Sequence, residues 1–189
     1  MVRLALAASI ALVLLVAGCG GGSKAVNPNT AETSPPGDIP DNQAFVAYTP
    51  PGGGYSVKVP EGWARTASGG AVTFTDKLNS IRVESVAAKS APTVAEVKSV
   101  ELPQLSQAVK GFKPAGVSSV DRTAGKAIRI KYLADASADT VTGKTGQNAV
   151  ERYVFFHKGK KVVLTLSGPK GADNVDPWKI ITDSVRWSG

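Results

Sequence analysis

The chain has 189 residues, with 22 Lys and Arg against 15 Asp and Glu, 42% apolar residues, one Cys and one His. That length fits one folded core with appended segments. A lone cysteine excludes a disulfide framework, and Cys19 with His157 is too small a set for a structural zinc site of the Cys/His type, so no metal or other cofactor is expected.

The chain opens with Met1-Val2-Arg3 and continues in an apolar run from Leu4 to Ala17 broken only by Ser9. A membrane-spanning helix needs roughly 20 apolar residues, so the run is short for a span and has the layout of a secretory signal. The following Val16-Ala17-Gly18-Cys19 resembles the bacterial lipobox, in which the cysteine is acylated and becomes the first residue of the mature chain. Residues 1–18 are therefore expected to be a lipoprotein signal peptide, with Cys19 the lipidation site; in an ordinary cleaved signal Cys19 would be incidental. Acyl chains at about 0.8 kcal/mol per buried CH₂ would then hold the protein on the extracytoplasmic face of the membrane. The mature chain keeps 21 Lys and Arg against 15 acidic residues, a net charge of +6.

Residues 19–44 carry the lipid and a Gly/Ser/Pro-rich segment, GGGSKAVNPNTAETSPPGDIPDN from Gly20 to Asn42, with almost no large apolar side chain. Such a composition predicts a disordered tether, with a root-mean-square reach on the order of 25 Å.

From Phe45 to the end at residue 189 the pattern is that of a folded domain. Tyr55-Ser56-Val57-Lys58-Val59 alternates as a half-buried strand and stops at the turn Pro60-Glu61-Gly62-Trp63. Val72 and Phe74 share one side of a strand over Ala71–Thr75, and Ile81-Arg82-Val83-Glu84-Ser85 repeats the device. Between Thr93 and Val109 the apolar residues recur at helical spacing, with Thr93 and Glu96 placed as a capping box and Pro103 implying a kink or two short helices. Further strands are expected at about 116–120, 126–133, 149–157 and 161–167, the last two joined by a hairpin at Lys158-Gly159-Lys160. A closing helix over about 175–185 has Asn174 or Asp173 as its cap, Pro177 in its first turn and Trp178, Ile181 and Val185 as its buried stripe. The order predicts an α+β domain, an antiparallel β-sheet flanked by two main helices.

With these elements placed, the sequence resembles the Mog1/PsbP-like fold, an α/β/α sandwich, and within it actinobacterial lipoproteins of the LpqN type. The residues that carry the likeness are the strand Tyr55–Val59 ending in Pro60-Glu61-Gly62-Trp63, the Val72–Thr75 strand, the helix after Pro92, and Asp176-Pro177-Trp178-Lys179-Ile180-Ile181-Thr182-Asp183-Ser184-Val185-Arg186. The resemblance implies a non-enzymatic accessory or binding module, as in the photosystem extrinsic protein and a small-GTPase-binding protein. It transfers no functional residue onto a numbered position.

The motifs of catalysis are thin. Gly143-Lys144-Thr145 looks like the end of a phosphate-binding loop, but Ala138 stands where the motif needs glycine, so a polar loop tip is the better reading. His157 ends the aromatic strand Tyr153-Val154-Phe155-Phe156 beside a lysine-rich turn and reads as a strand-end residue. There is no Gly-x-Ser-x-Gly elbow, and the carboxylates show no diagnostic spacing.

Binding surfaces remain. Lys58, Arg82, Arg129 and Lys131 lie opposite the apolar positions of their strands and would share one basic face, beside Thr73, Thr75 and Glu84, if those strands are neighbours. Lys158, Lys160 and Lys161 form a basic turn suited to anionic head groups or wall polymers. An envelope protein is the expected partner, and nucleic acid is not. The alternative is a carrier holding a lipid or other apolar ligand between sheet and helices, among residues such as Trp63, Phe74, Phe155 and Trp178; as aromatics these read first as core.

Overall fold

The computed structural model describes residues 36–138, 143 and 145–188. In chain order the elements are β1 (Phe45–Tyr48), β2 (Tyr55–Pro60), β3 (Ala64–Ser68), β4 (Ala71–Asp76) and β5 (Asn79–Ala87), then two short helices, α1 (Val94–Glu96) and α2 (Leu102–Ala108), around a π-helical turn (Val97–Glu101). There follow β6 (Lys113–Arg122), β7 (Gly125–Ala138), β8 (Thr145–His157), β9 (Lys160–Pro169), α3 (Val175–Asp183) and β10 (Arg186–Trp187). Seven strands form one antiparallel sheet in the order β3-β4-β5-β9-β8-β7-β6, and the other three form a small sheet, β1-β2-β10. This is the expected α+β class, with β1, β3 and β10 added to the strands that the alternation singles out.

Local chemistry sets the element ends. Thr93 caps α1, its hydroxyl accepting from the Glu96 amide at 3.1 Å. Pro103 has no amide hydrogen to give to the preceding turn, and the wide turn just before it, closed by Leu102 N–H to the Val97 carbonyl, divides the helix in two. At the β8–β9 hairpin His157 pairs with Lys160, leaving Lys158 and Gly159 at φ 43° and 78°. Two successive positive φ values define the tight turn whose twist suits paired strands.

The large sheet is covered on both faces. On one face Val72 and Phe74, Ile81 and Val83, Leu164 and Leu166, and Tyr153 and Phe155 meet the small sheet and the α3 stripe of Trp178 and Ile181, with Val185 just beyond the helix. On the other, Ile128, Ile130, Tyr132 and Val150 pack under Val97, Leu102 and Leu105. The central strands β8 and β9 thus carry unbroken buried runs, Tyr153–Phe155 and Val162–Leu164, as strands enclosed on both sides do.

The folded domain begins earlier than the composition indicates. The expected tether through Asn42 is corrected at its C-terminal end, because Ile39 is 3% exposed and belongs to the core. Two buried asparagines hold it there. Asn174 accepts from the Ile39 amide at 2.8 Å and donates to the Gly37 carbonyl and to Asn79 Oδ1, each at 3.0 Å, while Asn79 donates to the same carbonyl at 2.9 Å. Asn174 is the N-cap residue of α3, as expected, but its side chain satisfies a distant segment and makes no capping hydrogen bond. Gly168 permits the arrangement, since a Cβ there would collide with Asn79 Oδ1. One apolar residue in a polar run gives no hint of partners more than a hundred residues away. Residues 1–35, including Cys19, lie outside the described residues.

Asn174→Ala leaves the buried Ile39 amide and Asn79 Oδ1 unpaired and should cost about 3 kcal/mol, lowering the melting temperature by on the order of 10 °C and exposing the Ile39 amide to fast hydrogen exchange. Burial pushes the Tyr55 phenol up to about 12, Tyr48 and Glu84 adding to the rise and a Ser85 hydrogen bond opposing it. The unfolded chain ionises near 10, so this contribution is fully present below pH 10 and is lost as pH climbs through 12. Roughly 3 kcal/mol of stability should disappear across that window, and Tyr55→Phe should flatten the decline in denaturant melts.

Candidate functional site

Toward its outer strands the α3 side of the large sheet changes character. Arg129, Lys131 and Leu133 follow one another at period two on β7, and the antiparallel register sets Tyr153, Glu151 and Ala149 of β8 against them. Together with one flank of α3, at Val175, Trp178 and Lys179, these residues enclose a cavity of about 320 Å³. Reading along the strands, its wall passes from charged to apolar within about 13 Å, the rise of four residues.

The charged end is a connected network. Glu151 accepts from the Tyr153 hydroxyl at 2.6 Å and lies 3.3 Å from Lys131 Nζ and 4.0 Å from Arg129 Nη1. The Arg122 guanidinium sits 5.2 Å from the centre of the Tyr153 ring and donates to its hydroxyl at 3.2 Å. Its Nε donates to Thr182 Oγ1 at 2.9 Å and lies 3.6 Å from Asp183, which also pairs with Lys179 at 2.7 Å. Burial, reinforced by the hydrogen bond to Glu151 and its charge, raises the Tyr153 pKa against the opposing pull of Arg129 and Arg122, so the phenol stays a neutral donor. Arg129 Nε is buried and has no hydrogen-bond partner among the described residues. Four cations, Arg122, Arg129, Lys131 and Lys179, thus face two carboxylates, Glu151 and Asp183.

The helix-covered face is balanced by contrast. Arg152 donates to Glu101 at 2.7 Å, Glu84 at 3.0 Å and Thr165 at 2.8 Å, and Arg82 pairs with Glu84 at 3.1 Å. Burial pulls the Arg152 guanidinium down, but Glu101 and Glu84 outweigh it and hold the pKa up. Two cations meet two carboxylates here, and the side chains brace α1 and α2 on the sheet.

The structure divides the expected basic face. Arg129 and Lys131 come together in the cavity, whereas Arg82 lies on the opposite face of the same sheet and Lys58 on β2 of the small sheet, in a groove beside Asp183 and Arg186. The reason is phase: apolar residues of β4 and β5 face α3, those of β7 face α2, and charges opposite them point in opposite directions. The basic turn is likewise split. Lys160 donates to the Gly53 carbonyl at 3.3 Å, Lys161 approaches Glu96 at 3.9 Å on the other face, and Lys158 is exposed. His157 stacks on Trp187 with ring centres 5.1 Å apart. Phe74 and Phe155 are core, Trp63 packs against it, and of the four aromatics named for a ligand only Trp178 lines the cavity. Lys144 of the loop motif lies outside the described residues. Among those residues no three His, Cys, Asp or Glu side chains gather as a metal site, and no helix is long and apolar enough to cross a membrane.

Charge balance yields a test. Arg152→Gln removes the partner of two partly buried carboxylates and should cost about 3 kcal/mol, while Arg129→Gln removes one of an excess of cations and should change stability by less than about 1 kcal/mol in urea melts.

No family model and no curated protein matches the sequence. Solved structures do. The cyanobacterial PsbP (CyanoP) of Synechocystis sp. PCC 6803 superposes with a TM-score of 0.55, covering 80% of this chain and 98% of that one at 16% identity. The Ran-binding protein Mog1p of Saccharomyces cerevisiae gives 0.52, covering 77% and 96% at 11% identity. LpqN of Mycobacterium tuberculosis, involved in cell envelope biogenesis, covers 79% and 93% at 15% identity, but its TM-score of 0.42 is too low to argue from. At such identities likeness speaks for architecture alone. The sandwiched antiparallel sheet, closed by α1 and α2 on one side and α3 on the other, is the Mog1/PsbP-like fold.

Proposed function

We propose that the protein is a lipid-anchored, extracytoplasmic binding module of the cell envelope, non-enzymatic and held to the membrane through Cys19. The observation that carries the binding role is the cavity beside α3, where four cations outnumber two carboxylates over a partly apolar wall. Arg122 and Arg129, the least exposed of the four cations, cost stability when short of counter-charge, and an incoming anion would supply it. A fold that serves binding in the Ran-binding protein Mog1p is compatible with this role. The anchor rests on the sequence: the apolar run Leu4–Ala17 and Val16-Ala17-Gly18-Cys19.

The test is fractionation and cross-linking of the full-length protein in its native envelope, with Cys19→Ala alongside. Wild type should sediment with membranes and carry acyl mass on Cys19, while Cys19→Ala should be released. Cross-links from Lys131 or Lys179 to an envelope component support the module. A wild-type chain that stays off the membrane ends the anchor reading, and turnover of an envelope substrate lost on Glu151→Gln ends the non-enzymatic one.

A further inference from the structure

Taking the domain to be a binding module, we infer that the cavity between α3 and strands β7 and β8 holds a single-chain amphiphile with an anionic head, a carboxylate or phosphate, on an apolar tail. The polarity of the wall sets this class. At one end stand Arg129 and Lys131, and two residues further along each strand the wall is Leu133 and Ala149. Trp178 closes the side, and Val175, an apolar residue 71% exposed, stands at the apolar end. At about 320 Å³ the space is at the small end of the ~300–1,000 Å³ range of ligand pockets, suited to a head and a short length of chain.

The charged end is built to exchange partners. Lys131 and Arg129 both lean on Glu151, at 3.3 and 4.0 Å, and neither contact is a tight bidentate pair. Arg129 Nε is buried with no partner among the described residues, and Lys131 is half exposed, with a side-chain exposure of 47%. Glu151 is pinned from beneath by the Tyr153 hydroxyl, whose residue is 2% exposed. An incoming anion therefore completes the shells of Arg129 and Lys131, while Glu151 acts as an internal competitor for the same two cations. A cationic or neutral head gains nothing there, and an anion without a tail leaves the Leu133 and Ala149 end unused.

The experiment uses the full chain carrying Cys19→Ala, so that no attached acyl chain competes, with titration by calorimetry and Trp178 fluorescence against Trp178→Phe. The probes are octyl phosphate, octanoate, octanol, octyltrimethylammonium and inorganic phosphate. Octyl phosphate and octanoate should bind at least tenfold more tightly than the other three, and binding should weaken as salt is added. Glu151→Gln should tighten octyl phosphate several-fold, and Lys131→Gln and Arg129→Gln should weaken it about tenfold; a merely structural Glu151 would give no gain. Should Glu151→Gln fail to fold, the half-exposed Lys131→Gln decides alone. Equal binding of octanol overturns the anionic head and leaves an apolar-ligand cavity. Equal binding of inorganic phosphate overturns the tail. Binding of none of the probes by folded protein overturns the inference, while the module reading still stands or falls on the cross-linking.

Discussion

Everything in this domain depends on a sheet that must satisfy two covers at once. A strand between two covers has no solvent side, so β8 and β9 commit every residue of their central runs to one of two interiors. Tyr153 and Phe155 go to the α3 side and Val154 to the helix-covered side, while Val163 separates Val162 and Leu164 in the same way. The two interiors are laterally offset. The larger lies under the small sheet and α3, centred on β4, β5 and β9, and the smaller lies under α2, centred on β7. Offsetting leaves each face with a stretch of sheet that its cover does not fill with apolar side chains, and there the charged residues are placed.

The two stretches are resolved differently. Under α1 and α2 the cations and carboxylates match, and Arg152 bridges Glu101 of the helical layer to Glu84 of the sheet. Matched pairs of this kind position a helix more than they add stability. Beside α3 the cations are in excess, one guanidinium nitrogen has no partner among the described residues, and space remains between the sheet and the helix flank. The same sheet therefore has a structural ionic cluster on one side and an unfilled one on the other, and the difference is one of charge count.

What the sequence shows and what it hides divide along contact distance. The Thr93 cap, the break near Pro103, the Lys158-Gly159 turn and the Trp178, Ile181 and Val185 stripe depend on residues a few positions apart, and all are legible. Arg129 and Lys131 are legible as outward charges of an alternating strand. Their companions are not, because Arg122 of β6 and Glu151 and Tyr153 of β8 reach them only through the pairing of β7 with both strands and the docking of α3. Alternation tells which residues of a strand share a side, but not which side of the sheet that is. For want of that single sign, alternation alone groups Arg82 with Arg129, although the two lie on opposite faces of the sheet. Ile39 is hidden for a related reason: its partners, Asn79 and Asn174, are ordinary polar residues until the fold sets them side by side. The proposal of a lipid on Cys19 rests on the sequence alone.

The docked segment at Gly37 and Ile39 has a mechanical consequence. A pull applied to the chain at Gly37 meets the Asn79 and Asn174 amides, which grip one carbonyl there. From there it divides between the start of β5 and the residue just before α3. The load passes into a central region of the sheet and into the helix that walls the cavity, and the ordered chain between Gly37 and β1 lies downstream of the grip. The asparagine pair then works as a strain relief, set so that tension reaches the rigid sheet and the cavity wall together.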